Sequence, residues 1–280
     1  MIDKWQERRI LILGTTYPAH SGKYNETVCT GGIDERTREM VRLRPVPIRY
    51  LQTDQRFKKF QWIRVLVSKD TSDPRPESLR IDPKSIVLEE VVKDHEHRRR
   101  ILENSPHMIG SVEELKAKQA QDGTSLGIIR PKDILDCFVE NRPPAERVDW
   151  ERKERVRLSQ HKLFGEQIKP LDFPEVEFAV KWKCRHPECA IHTMHLLQWG
   201  LHELYRRLKQ RKDPDVIQKV VDKMRSELDE SRRDVYLFLG NFRAVMYNFG
   251  LMDSYSPPKS QTDDEDDFRL FSLRRQSARP

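Results

Sequence analysis

The sequence predicts an α+β protein: an N-terminal small β-barrel or curled sheet, a helical connector, and a C-terminal zinc-stabilised module of α- and β-hairpins. Three observations predict it. Short β-branched apolar runs separated by turn residues fill residues 9–92, helical spacing takes over at Asp94, and cysteines and histidines cluster between 184 and 195. The boundaries that follow are 1–92 for the β-rich domain, 93–170 for the connector, 171–255 for the Cys/His module and 256–280 for a disordered tail.

The β-rich part reads in order. Ile10–Thr16 is an apolar run stopped by Tyr17-Pro18, and Thr27–Ile33 follows with Gly31-Gly32 marking a bulge or turn. Met40–Val46 alternates, which places Arg42 and Arg44 on one face and Val41 and Leu43 on the other. Trp62–Val67 and Ile86–Val92 complete a set of five short strands. Between them Asp73-Pro-Arg-Pro-Glu77 is excluded from a central strand, because two prolines remove ladder donors.

In the connector, residues 94–104 and 111–121 read as helices, and Ser111 with Glu114 forms a capping-box signature. Leu126–Ile129 returns to a sheet, Arg142-Pro-Pro breaks the chain, and Trp150–Phe164 is a highly charged helix. Phe173–Cys184 alternates as a strand. A long helix is expected over Ala190–Lys212, with Met194, Leu197, Leu201, Leu204 and Leu208 as its core stripe and His192, His195, Trp199 and His202 roughly opposite. Asp213-Pro214 opens a second helix with Ile217, Val220, Val221, Met224 and Leu228 inward. Val235–Leu239 and Phe242–Tyr247 read as a β-hairpin turning at Gly240-Asn241.

Composition narrows the function classes. Charged residues make up 35% of the 280, against about 25% in an average domain, and no apolar stretch approaches a membrane span. Eleven glycines are about half the usual share, which counts against Gly-rich nucleotide-cradling folds. Gly14 to Tyr24 superficially resembles a phosphate loop but has the wrong glycine spacing, and Tyr24 stands where Ser or Thr belongs. Four dispersed cysteines suit reduced thiols in a cytoplasm. The tail's five acids and five bases cancel, so the net charge of +7 belongs to the folded body. The expected partner is a nucleic acid, with no membrane involved.

The most specific motif is Cys184-x4-Cys189-x2-His192-x2-His195. Thiolate and imidazole are the preferred zinc ligands, and a closed structural site takes four of them. His186 is the alternative fourth ligand, with Cys29 a more distant candidate. Phosphate contacts are expected from Arg42, Arg44, Arg98, Arg99, Arg100, Arg206, Arg207, Lys209, Arg211 and Lys212. The sequence reading is thus a zinc-stabilised, non-enzymatic nucleic-acid-binding subunit of a cytoplasmic nucleic-acid-processing complex.

Two alternatives stand beside it. A nuclease using Mg²⁺ would draw on Asp70, Asp73, Glu77, Glu175, Glu177 and Lys181, since two-metal chemistry needs converging carboxylates. A protein–protein adaptor would act through the acidic and aromatic tail, Asp263–Phe271.

Overall fold

The computed structural model describes residues 4–21, 25–159, 169–187 and 189–259. Its first part carries β1 (Gln6–Thr15), the short pair β2 (Ala19–Ser21) and β3 (Asn25–Thr27), β4 (Thr30–Asp34), β5 (Met40–Arg44), β6 (Gln61–Lys69), β7 (Ser78–Ile81) and β8 (Val87–Val91). Five of these close a barrel in the order β1-β4-β5-β7-β6, with β6 pairing back onto β1 and β8 added outside β6. All neighbours in the ring are antiparallel except β5 and β7. β7 escaped the sequence reading because its four residues, Ser-Leu-Arg-Ile, carry no alternation long enough to register.

The rest of the chain follows as α1 (His95–Glu103), α2 (Val112–Asp122), β9 (Leu126–Ile129), β10 (Pro131–Asn141), α3 (Pro144–Ser159), β11 (Val176–Cys184) and β12 (Ile191–His195). It ends with α4 (Trp199–Gln210), α5 (Val216–Glu227), β13 (Tyr236–Phe242) and β14 (Val245–Tyr255). The protein is mixed α+β, with five α-helices among the described residues. The strands form two further three-stranded sheets, β14-β13-β9 and β10-β11-β12. β10 was not expected inside the connector.

Pleating explains how the layers stack. Along β1, Ile10 and Ile12 point into the barrel with Leu43, Ile63 and Val65, while Leu11 and Leu13 point outward against Phe238 and Met252. β13 alternates the same way: Tyr236 and Phe238 face the barrel, and Leu237 and Leu239 face the core under β11. The β14-β13-β9 sheet is therefore a shared wall, buried on both sides. Burying Leu11 and Leu13 contributes roughly 1.5–3 kcal/mol each, so the barrel is clamped to the second half rather than tethered beside it.

Local signals fix the helices. Asp94 accepts the His97 amide at 2.7 Å, and Ser111 accepts that of Glu114 at 3.0 Å, while the Glu114 carboxylate reaches back to the Gly110 amide. α3 starts earlier than expected, at Pro144, whose missing N–H is harmless in a first turn.

Two expectations are corrected. Residues 191–195 form a strand paired with β11 instead of the first turns of a long helix, and α4 begins only at Trp199. The leucine spacing through Leu208 imitated a helix across this junction, while Ile191 and Thr193, both β-branched, fit an edge strand. The hairpin turns at Arg243-Ala244, with Phe242 opposite Val245, and Gly240 lies inside β13. Gly240 is needed for close approach: a Cβ there would sit 2.5 Å from the Met252 sulfur. Residues 260–280, with the acidic run and Phe271, lie outside the described residues.

Candidate metal centre and basic groove

The end of β11, the turn after it and β12 bring Cys184, Cys189 and His192 together, and the N-terminus of α2 adds Glu113. One donor atom from each of the four lies within 4.8 Å of the others. Cys189 Sγ is 3.0 Å from His192 Nε2, which is 3.4 Å from Glu113 Oε1. Zn–S bonds of about 2.3 Å and Zn–N bonds of about 2.0–2.1 Å place tetrahedral ligands roughly 3.5–3.8 Å apart. The cluster therefore fits a metal ion after a small opening.

The surroundings suit thiolates. The Val112 amide at the start of α2 donates to Cys184 Sγ at 3.4 Å, and the Cys184 amide donates to Cys189 Sγ at 3.3 Å. Such N–H···S bonds orient and stabilise metal-bound sulfur. Burial, reinforced by the neighbouring Cys189, pushes the Cys184 thiol up to about 12, so a bound cation is what would favour its thiolate. His192 packs against Trp182, its cross-strand partner, with ring centroids 5.1 Å apart and the planes tilted by 50°.

The strand geometry changes the expected ligand set. In a strand, residues three apart point to opposite faces. His195 accordingly turns away from His192 and lies between Glu140, at 3.0 Å, and Glu177, at 3.3 Å. His186 is exposed and contributes its carbonyl oxygen to the turn, accepting the Cys189 amide. Cys29 packs against the barrel-side core. Glu113, 71 residues before Cys184, had no signal in local spacing.

The other expected site residues scatter. Arg42 is 1% exposed, with its guanidinium donating to Ser125 Oγ at 2.7 Å and Ser125 O at 3.2 Å, so it is not a phosphate contact. Arg44 pairs with Asp73 at 3.0 Å. Arg98 lies over the Phe60 ring, Arg99 pairs with Asp234 at 2.8 Å, and Arg100 is exposed. Of the carboxylates, Asp70 accepts from Ser72, Asp73 from Arg75, and Glu77 from Ser125 and Leu126. Glu175 pairs with Arg147 and Lys209, Glu177 with Arg142, and Lys181 is exposed. Glu177 also lies with Glu140 and His195 in a second group whose donor atoms could hold a cation, whereas among the described residues no such group gathers Asp70, Asp73 and Glu77.

A groove that sequence reasoning missed runs where the barrel meets α4. The Tyr17 amide donates to Leu197 O at 2.9 Å, and Thr16 bridges to Gln198, which pins the exit of β1 to the entrance of α4. One cavity of about 470 Å³ is lined by Tyr17, Ile48, Arg49, Arg56, Lys169, Trp199, Glu203 and Arg206, among others. A second, of about 320 Å³, shares Tyr17, Asp172 and Arg206 with it and adds Arg147, Phe173, Glu175, His202, Tyr205 and Lys209. Together they present six Lys or Arg side chains against three acids, interleaved with aromatic rings. Arg206 and Lys209 of the expected basic run line this groove, whereas Arg207, Arg211 and Lys212 are exposed outside it.

His202 stands apart within the groove. Its ring lies between Tyr17, 4.7 Å away, and Phe178, 4.8 Å away. Burial, assisted by Arg142 and opposed by Glu203, lowers its pKa to about 4. The unfolded chain then binds the proton more tightly between pH 4 and 6.5, so this contribution to stability is complete above about 6.5 and lost as pH falls towards 4. A shift of this size corresponds to roughly 3 kcal/mol at about 1.4 kcal/mol per unit. The difference between wild type and His202→Phe in urea melts is expected to change by that order across the window and to stay flat above it.

These features define a barrel-containing α+β protein with a Cys/His/Glu cluster able to hold a metal ion. Residues 107–274 match the family described as a domain of unknown function (DUF8757), and the chain belongs to that family. Residues 6–104 match a second, described as a domain of unknown function (DUF8758). No curated protein matches the chain. No helix among the described residues is long and apolar enough to cross a membrane.

Proposed function

We propose that this protein binds nucleic acid in the groove between the barrel and α4, and that a zinc ion on Cys184, Cys189, His192 and Glu113 fastens the sheet that carries α4. The observation that carries the reading is the groove itself, two cavities that share Tyr17, Asp172 and Arg206 and are together lined by six cationic side chains and the rings of Tyr17, Trp199, Phe173 and Tyr205. Cations track phosphates, and aromatic faces stack on bases whatever their sequence. Arg49 also holds the groove wall, donating to the carbonyls of Lys169 at 2.6 Å and Pro170 at 2.8 Å.

The barrel adds a fold-level analogy. A five-stranded ring with one parallel pair, in the order β1-β4-β5-β7-β6, has the topology of the OB-fold, a barrel used for oligonucleotides. Here the outer face of β4 and β5 is covered: Met252 approaches Gly31, and Arg42 bonds Ser125. The loops after β1 and β5, which supply Tyr17, Ile48, Arg49 and Arg56, are the barrel parts left to meet a ligand.

Zinc suits this role as a staple. Two thiols and an imidazole are soft-to-borderline donors, and the four cysteines are free, as a reducing cytoplasm would leave them. The chain supplies the thiols, the imidazole and the α2 amide that orients Cys184.

The test is charge reversal in the groove. Arg49→Glu and Arg206→Glu are expected to weaken binding of a labelled 15-nucleotide oligonucleotide at least about tenfold in fluorescence anisotropy, whereas Arg211→Glu, outside the groove, changes it less than about twofold. Equal effects from all three would overturn the assignment of the groove.

A further inference from the structure

We propose that the inner cavity of this groove reads the sugar of the bound strand, with His202 hydrogen-bonding a ribose 2′-hydroxyl, so that the protein selects RNA over DNA. The inference rests on the groove being the nucleic-acid site and specifies its substrate class.

The geometry starts from an unspent polar group. His202 is 8% exposed, lines the cavity of about 320 Å³, and has no hydrogen-bond partner among the described residues. Its ring nitrogens are not among the sealed polar atoms left without a partner, so they reach the space of the cavity. Tyr17 and Phe178 fix the ring from two sides but satisfy neither nitrogen. Water meets the ring nitrogens in the free protein, and a polar group of a bound strand that enters the cavity takes its place.

Its chemistry selects that group. The imidazole is neutral at physiological pH, since its pKa lies near 4, and it offers one donor and one acceptor. A phosphate calls for charge, which Arg147, Arg206 and Lys209 supply on the same cavity. A base calls for a stacking face, which Phe173 and Tyr205 supply. A hydroxyl is both donor and acceptor, so it satisfies whichever ring nitrogen faces it. In nucleic acid that hydroxyl is the 2′-OH, the group that separates RNA from DNA at a given site.

The experiment compares matched 15-nucleotide RNA and DNA strands by fluorescence anisotropy, using the full chain. Wild type is expected to bind RNA about three- to tenfold more tightly, the range that one neutral hydrogen bond supplies. His202→Phe, which keeps an aromatic ring between Tyr17 and Phe178, is expected to remove the difference between RNA and DNA affinity. RNA strands carrying single 2′-deoxy substitutions, walked along the site on wild type, are expected to show the same loss at one position, so the test does not depend on the variant folding. Equal affinity of wild type for RNA and DNA overturns this inference alone, as does a preference that survives His202→Phe. Absence of binding to both strands at low salt overturns the groove reading and this inference with it.

Discussion

Glu77→Ala is expected to destabilise the protein by about 3–5 kcal/mol, the cost of leaving a buried charge without its counterpart. Glu77 is 8% exposed, and its carboxylate accepts the Ser125 amide at 2.7 Å, the Ser125 hydroxyl at 2.7 Å and the Leu126 amide at 3.3 Å. Burial works against its charge, but hydrogen bonds from His107 and Ser125 outweigh burial and hold its pKa below the usual carboxylate value. The same Ser125 hydroxyl accepts from Arg42, so Glu77 balances a guanidinium that is 1% exposed. Removing the carboxylate orphans the Ser125 and Leu126 amides as well as the charge of Arg42.

The position of this network makes the loss global. Arg42 belongs to β5 of the barrel, Ser125 leads into β9 of the shared sheet, and Arg75 donates to the carbonyl of Asn241 in β13 at 2.9 Å. Urea denaturation of Glu77→Ala beside Glu77→Gln, which keeps an acceptor for the amides, measures the effect. A loss below about 1 kcal/mol would show that the joint is held by apolar packing alone. The sign with pH follows from the depressed pKa: the Glu77 contribution is complete above the ordinary carboxylate value and is lost as pH falls from there through its lowered folded value.

Removal of the proposed zinc is expected to have the second large effect. A ligand present at a thousand times its dissociation constant stabilises a fold by about 4 kcal/mol, which for a chain of this size corresponds to a melting shift of roughly 10 °C. Purified protein is expected to carry one zinc per chain by plasma mass spectrometry. Chelation is expected to lower the melting temperature by that amount, and added zinc to restore it. Cys189→Ser should carry no zinc and melt like the chelated protein. His195→Ala should keep its zinc, because His195 faces Glu140 and Glu177 across the sheet. A melting temperature insensitive to chelation and to added zinc would remove the metal from the account.

Much of the fold was legible where one periodicity dominated. The run Ile10–Leu13 announced β1, and the two-sided burial that makes it continuous is the reason it lacks alternation. Ser111 and Glu114 announced α2 through a capping box that the structure retains, and the helix read over 94–104 forms as α1 with Asp94 as its cap. Failure came where two periods overlapped. Met194 and Leu197 happened to lie in helical register with Leu201, so a strand and a helix read as one helix, and His195 was placed beside His192 instead of behind it.

The site was less legible than the fold because its parts are distant in sequence. Glu113 meets Cys184 only through the packing of α2, and the groove assembles Tyr17, Arg49, Lys169 and Arg206 from separate segments. Charge counting also misled. Arg42 stood on an alternating strand as if exposed, yet β5 is covered by the shared sheet, and its guanidinium serves the joint. A cation-rich sequence marks a polyanion binder only after buried and paired cations are set aside.

The measurement that bears most directly on the central claim is the affinity of wild-type protein for a labelled single-stranded oligonucleotide across a salt series. Of the six groove cations, Arg147 and Lys209 pair with Glu175, Arg206 with Glu203 and Arg49 with Glu26, so two remain, and a strand that displaces one or two of these pairings engages about three or four. At about −0.7 per phosphate, the logarithm of affinity is expected to fall against the logarithm of salt with a slope of roughly −2 to −3. Arg49→Glu is expected to make that slope shallower. Binding that is absent at low salt, or a slope that Arg49→Glu leaves unchanged, would contradict the assignment of the groove as a nucleic-acid site.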